Sequence, residues 1–257
     1  GGIIFPLAII IWFIFSGFQY PWFTAGLFLI SLVSFLDDLN NISRRLRLFA
    51  HLTAVAPAFS QLETFAANPW MLIPVFILFI GIINAYNFMD GINGITGIYS
   101  LVVLATLLWI DQYQIHFIDA DLILSALCSV VIFGFFNFRK KAVCFAGDVG
   151  SIAIAFVICF LLVKLIVATS DKFYILFLAV YGVDAVITIL LRLYKRENIF
   201  RPHRSHLYQL LANEAGYNHL AVSVAYGVVQ LLVNLTVVLL IKRQAMYSLV
   251  LCLFMLV

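Results

Sequence analysis

The chain has 257 residues, 65% of them hydrophobic and only 11% charged, where an ordinary soluble domain carries roughly 25% charged residues. No soluble core can hide that much apolar surface, so a water-soluble domain is excluded and a membrane protein that crosses the bilayer several times is expected. The net charge of +3 points to no nucleic-acid partner, and the positions of the basic residues say more than their number.

Ten apolar runs follow one another, at about 3–17, 22–36, 48–60, 70–83, 95–110, 121–136, 151–168, 172–191, 220–241 and 245–257. A span needs around 20 residues, and flanking residues can extend the shorter runs. The expected fold is therefore all-α, one membrane domain over residues 1–257 with about ten transmembrane helices and short loops. Pro57 and Pro74 fall inside runs, where neighbouring helices can satisfy the freed carbonyls. Cys128, Cys144, Cys159 and Cys252 show neither CxxC nor metal-site spacing and read as small apolar residues. The start of the sequence does not read as a signal peptide, and none is expected there. It opens at Gly1-Gly2 without Met, so a missing beginning is expected.

Orientation follows from Lys and Arg. Eleven of the fifteen basic residues fall in alternate links, at 37–47, 137–150 and 192–219, with the link 84–94 on the same side. These links are expected in the cytoplasm. Lys164 lies late in a span and can snorkel outward. Asp111, Asp119 and Asp121 fall on the opposite side and read as solvated loop charges.

The first cytoplasmic link carries Asp37-Asp38-Leu39-Asn40-Asn41, followed by Arg44, Arg45 and Arg47. Adjacent carboxylates repel unless neutralised, either by a cation or by the arginines downstream. The second reads Asn84-Ala-Tyr-Asn87-Phe-Met-Asp90-Gly91-Ile-Asn93-Gly94, a polar island between two apolar runs. An Asp inside a membrane span costs about 2.5–3.5 kcal/mol at the centre and less near the ends, so a cation or polar cleft should compensate Asp90. The third is Gly147-Asp148-Val149-Gly150-Ser151 at the start of a span. Asp148 or Ser151 could be plain N-caps, and the same geometry offers N–H groups to phosphate and a carboxylate to Mg²⁺.

The fourth stretch is Arg201-Pro202-His203-Arg204-Ser205-His206-Leu207-Tyr208-Gln209, a donor-rich anion site in which Arg can grip phosphate bidentately. It lacks further His or Cys for zinc. His51 reads as interfacial packing, and His116 and His219 as loop residues. Asp184, inside a span, either lines the site or pairs with a basic partner near Arg192. Acids, glycines and a His/Arg cluster at the ends of spans on one side describe a cleft for a divalent metal and a phosphate compound.

Taken together, the four stretches resemble the polyprenyl-phosphate N-acetylhexosamine-1-phosphate transferases, and the chain is most similar to their O-antigen and capsule initiating branch. The likeness covers the whole chain, in the family's order and sidedness. It implies transfer of sugar-1-phosphate from a UDP-N-acetylhexosamine to undecaprenyl phosphate with release of UMP, in the bacterial inner membrane with the active site facing the cytoplasm. It further implies Asp37, Asp38, Asp90 and Asp148 as catalytic residues, Asp90 and Asp148 holding Mg²⁺ (Mn²⁺ as an alternative). Asn84, Asn87, Asn93, Gly147, Ser151, His203, Arg204 and His206 would bind substrate. Membrane lipids and a second copy of the chain are further partners to consider.

A phosphate monoester has a second pKa of about 6, so the lipid nucleophile is mostly dianionic at neutral pH. This favours a positioning role for Asp37 over that of a base. Three departures qualify the resemblance: Asn93 stands where the family commonly has Asp, Asn40 and Asn41 stand where a third acid is common, and the family has an earlier span and loop, which Gly1-Gly2 are expected to continue. A chain lacking that segment is expected to have reduced or no activity. A transporter of an anionic substrate and a catalytically silent homologue are the alternatives; the concentration of acids on one face and the lack of an inverted repeat count against the transporter.

Overall fold

The computed structural model describes residues 1–40, 42–60, 62, 70, 72–198 and 204–243. Among these the chain is helical, with no strand. In order come α1 (Ile4–Phe15), α2 (Pro21–Asn40), α3 (Arg44–Ser60), α4 (Leu72–Met89), α5 (Ile95–Tyr113), α6 (Ala120–Asn137) and α7 (Gly147–Thr169). A 3₁₀ segment, Lys172–Leu178, leads into α8 (Ala179–Tyr194). A short turn, Leu207–Gln209, continued by a π-helical turn, Leu210–Glu214, precedes α9 (His219–Lys242).

The all-helical membrane fold agrees with the sequence, but the expected ten spans do not. Six segments of the described residues are long and apolar enough to cross a bilayer: α2, α5, α6, α7, the Lys172–Tyr194 segment and α9. α1 has 12 residues and rises only about 18 Å, short of a hydrocarbon core of about 30 Å. α4 is also short for a span, and α3 takes Arg44, Arg45 and Arg47 into its first turn. The run 245–257 lies outside the described residues. After α1 the residues Ser16 to Tyr20 form a turn instead of extending the helix.

α7 is the axis of the bundle. It is apolar all round, and Val149 to Leu162 is buried without a break, as expected of a helix with neighbours on every side. α2 and α4 pack along it, α3 lies against α2, and α6 and α9 flank α5. Rings interlock at the α2–α7 contact, where Phe23 stacks on Phe160 with centroids 4.1 Å apart. Gly26 lets α2 approach α3 closely, since a Cβ there would stand 2.6 Å from the Ala54 carbonyl. The outer faces expose large apolar side chains, among them Leu32, Ile77, Val131, Ile187 and Leu232, which suits a lipid surround. An apolar groove of about 650 Å³ between α1 and α6, lined by Leu7, Ile11, Trp12 and Leu124, also opens there.

Loop charges differ in part from expectation. Asp111 is not solvated: it is 3% exposed and accepts the backbone N–H groups of Phe117 and Ile118 at 2.9 and 3.2 Å, holding the turn into α6. His219 opens α9 instead of lying in a loop, and His51 is buried in α3. Lys164 rests 5.0 Å over the Tyr20 ring.

Candidate functional site

The ends of α2, α4 and α6 and the starts of α3, α5 and α7 meet at one end of the bundle, and the acids meet with them. Asp37 and Asp38 close α2. Asp37 is held by two donors, the Ile42 N–H at 2.5 Å and Arg47 Nη1 at 2.8 Å. The same Arg47 nitrogen stands 3.7 Å from Asp148 Oδ2, so one guanidinium bridges the acids of α2 and α7. Asp38 accepts the N–H groups of Asp148 at 3.2 Å and Val149 at 3.4 Å. A carboxylate from α2 thus caps the start of α7, where the helix dipole favours negative charge.

The chain enters α7 through Gly147, whose φ of +65° suits glycine and whose missing side chain leaves room for the Asp38 carboxylate, which a Cβ there would crowd at 3.0 Å. Ser151, one turn on, donates to the Gly147 carbonyl at 2.9 Å. Its hydroxyl is occupied within the helix.

Asp90 follows α4 directly. Thr96 Oγ1 donates to it at 2.6 Å, and the backbone N–H of Gly147 lies near enough to favour its charged form. Burial nevertheless pushes the Asp90 carboxyl up to about 6, with the charges of Asp148 and Asp38 adding to the push. Asn87, one turn before Asp90, lies near Asp148 and counters the upward push of burial on that carboxyl. Asn84 instead returns its amide to the Ile80 carbonyl at 2.8 Å within α4.

The loop after Asp90 is shaped by residues with no sequence signal of their own. Asn137, the last residue of α6, accepts the Gly94 N–H at 2.7 Å and donates to the Cys144 carbonyl at 2.8 Å. Asn93 donates to the Arg139 and Lys140 carbonyls at 2.9 and 3.4 Å. An Asp at position 93 would turn an acceptor toward two acceptors, so this contact calls for the amide. The Asn93 side chain holds the basic loop in place.

The fourth stretch is described from Arg204 onward; His203 lies outside the described residues. Arg204 is exposed. His206 is buried and its Nδ1 lies 3.1 Å from Asp184 Oδ1. Asp184 therefore pairs with this histidine, while Arg192 binds Glu197 at 3.1 Å and the Asn198 carbonyl at 2.7 Å. Tyr208, unmarked by the sequence, is fully buried and donates to the Phe88 carbonyl at 2.8 Å. It fills the space over Gly91, where a Cβ would collide with its hydroxyl.

Among the described residues no three His, Cys, Asp or Glu side chains stand close enough to hold an ion unaided. What the end of the bundle offers is Asp90 and Asp148, close enough that the charge of Asp148 raises the proton affinity of Asp90. Hard oxygen donors in that number suit Mg²⁺, which takes one or two carboxylates and completes its shell with waters and substrate phosphates.

A model of glycosyl transferase family 4 matches residues 20–166, a stretch that contains Asp37, Asp38, Asp90 and Asp148 but ends before His206. A probable undecaprenyl-phosphate N-acetylglucosaminyl 1-phosphate transferase of Bacillus subtilis (strain 168) is 26% identical over 219 residues, covering 79% of this chain and 61% of that protein. The chain therefore spans less than two thirds of the length of this relative.

Proposed function

Because the chain belongs to glycosyl transferase family 4, we propose that it moves N-acetylhexosamine-1-phosphate from a UDP-sugar to undecaprenyl phosphate. A lipid phosphate oxygen attacks the sugar-bearing phosphorus, the bond from that phosphorus to the bridging oxygen breaks, and UMP leaves. The observation that carries the reading is the convergence of Asp38, Asp90 and Asp148 on one end of an otherwise apolar bundle. The B. subtilis relative, named for such a reaction, supports it.

Asp90 and Asp148 would hold Mg²⁺, which when bound neutralises charge on the diphosphate. The remaining residues position. Thr96 fixes one oxygen of Asp90, and Asp38 ties the start of α7 to α2. Asp37 keeps both oxygens on Arg47 and Ile42, which fits a positioning duty beside a dianionic phosphate that needs no base. Arg204 and His206 supply donors for the diphosphate. Arg45, Arg47, Arg139, Lys140 and Lys141 lie in the links at this end, which favours the cytoplasmic side of the inner membrane.

Incubation with UDP-N-acetylglucosamine and undecaprenyl phosphate, with and without Mg²⁺, tests the reading. Metal-dependent UMP release is expected. Passage of an intact anionic substrate into liposomes without cleavage would instead mark a transporter.

A further inference from the structure

Asp184 is an acid inside the apolar α8, 7% exposed, and it is surrounded by donors. Its Oδ1 accepts the Leu207 N–H at 3.1 Å and the Thr188 hydroxyl at 3.2 Å, and lies 3.1 Å from His206 Nδ1. Its Oδ2 accepts the Tyr226 hydroxyl at 2.6 Å. A buried carboxylate so supplied is satisfied. Two of the four donors belong to the turn that carries His206 and Tyr208, and the others come from α8 and α9. The same turn is pinned on its far side, where Tyr208 reaches the Phe88 carbonyl two residues before Asp90. The turn is therefore strung between an intramembrane carboxylate and the Asp90 loop.

We propose that Asp184 is a positioning residue for the nucleotide diphosphate: it fixes the ring of His206 through Nδ1 and, with Tyr208, holds that ring at a set separation from Asp90. The inference rests on the transferase reading above. Asp184 touches no substrate and acts through His206. A neutral Asn could cap Leu207 equally well, so the charge is used on the imidazole: it takes the Nδ1–H and stabilises the doubly protonated ring, whose Nε2–H is then the donor to the diphosphate.

The test uses the full chain in lipid nanodiscs and the variants Asp184→Asn, His206→Gln and the double variant. UDP binding is measured by calorimetry, and UMP release is measured as each substrate is varied. Asp184→Asn keeps an oxygen for the Leu207 N–H while removing the charge. It should weaken UDP binding and raise KM for the UDP-sugar about tenfold, the scale of one charge-assisted hydrogen bond, and leave KM for undecaprenyl phosphate and the melting temperature unchanged. The double variant should bind UDP no more weakly than His206→Gln alone.

Additive losses in the double variant, UDP binding by Asp184→Asn equal to wild type, or equal rises in both KM values would overturn the proposal in favour of a purely structural hub. A wild-type chain that binds UDP but releases no UMP would remove the transferase reading, and the calorimetric comparison would still decide the role of Asp184. A wild-type chain that does not bind UDP would remove both.

Discussion

Asp38 and Asp148 lie on different helices, yet the carboxylate of the first accepts the backbone N–H of the second at 3.2 Å. The start of α7 and the end of α2 are thereby one unit, and the acid that follows Gly147 is delivered to the acids of α2 in spite of their mutual repulsion. A cation shared with substrate phosphates would relieve that repulsion.

Asp38→Asn and Asp38→Ala separate the capping of α7 from the negative charge that Asp38 would add to the catalytic acids. Asn keeps an acceptor for the α7 N–H groups, so the melting temperature should stay near wild type. Ala leaves them uncapped, at about 1 kcal/mol. Both should slow UMP release on the order of 10²-fold, the scale of one lost electrostatic contact at a reacting centre. An active Asp38→Asn enzyme would reduce Asp38 to a cap.

Gly91 and Tyr208 form a second coupled pair. Gly91→Ala pushes a methyl group into the Tyr208 hydroxyl and should displace the tyrosine, costing about 1–3 kcal/mol as overpacking does. Adding Tyr208→Phe removes the colliding oxygen, so the double variant should recover part of the loss in a thermal melt. Simple additivity of the two losses would contradict the contact.

Asn93→Asp would add an acid beside Asp90, and it should harm this protein. The new carboxylate would face the Arg139 and Lys140 carbonyls and lose two donated hydrogen bonds, at about 1–3 kcal/mol for buried groups left unpaired. A lower melting temperature is expected; a variant with higher metal affinity and unchanged stability would assign position 93 to the metal after all.

The raised Asp90 carboxyl, at about 6, sets a pH dependence. Its folded value lies above its ordinary one, so the protonated form favours folding, and without metal that stability is lost as pH rises from about 4 through about 6. Added Mg²⁺ should therefore raise the melting temperature at about pH 7.5 and have little effect at about pH 5, where protons compete for the carboxylate. Melting curves across that range, with Mg²⁺ and with a chelator, check the sign.

How much of this could be read beforehand depends on how rare polar residues are in so apolar a chain. Asp37, Asp38, Asp90 and Asp148 stand out because so few charges surround them, and their grouping at one end follows from the alternation of spans and basic links. Tyr208 and Asn137 carried no such mark. A tyrosine or an asparagine in a loop is ordinary, and the Tyr208–Phe88 bond joins residues 120 positions apart. Asp111 misled for the opposite reason: at a helix end it resembles a solvated charge, and only the path of residues 114–118 folds its N–H groups back onto the carboxylate. The number of spans is not legible in apolar runs alone, which do not show where turns stop the helices, as after Phe15 at the end of α1.

The central claim is that Asp90 belongs to the chemistry, and UMP release by Asp90→Asn tests it most directly. With UDP-N-acetylglucosamine, undecaprenyl phosphate and Mg²⁺, the wild-type chain should release UMP. Asp90→Asn, which keeps an oxygen for the Thr96 hydroxyl and an intact fold, should release it at least about 10²-fold more slowly. Release by Asp90→Asn at the wild-type rate would contradict the account.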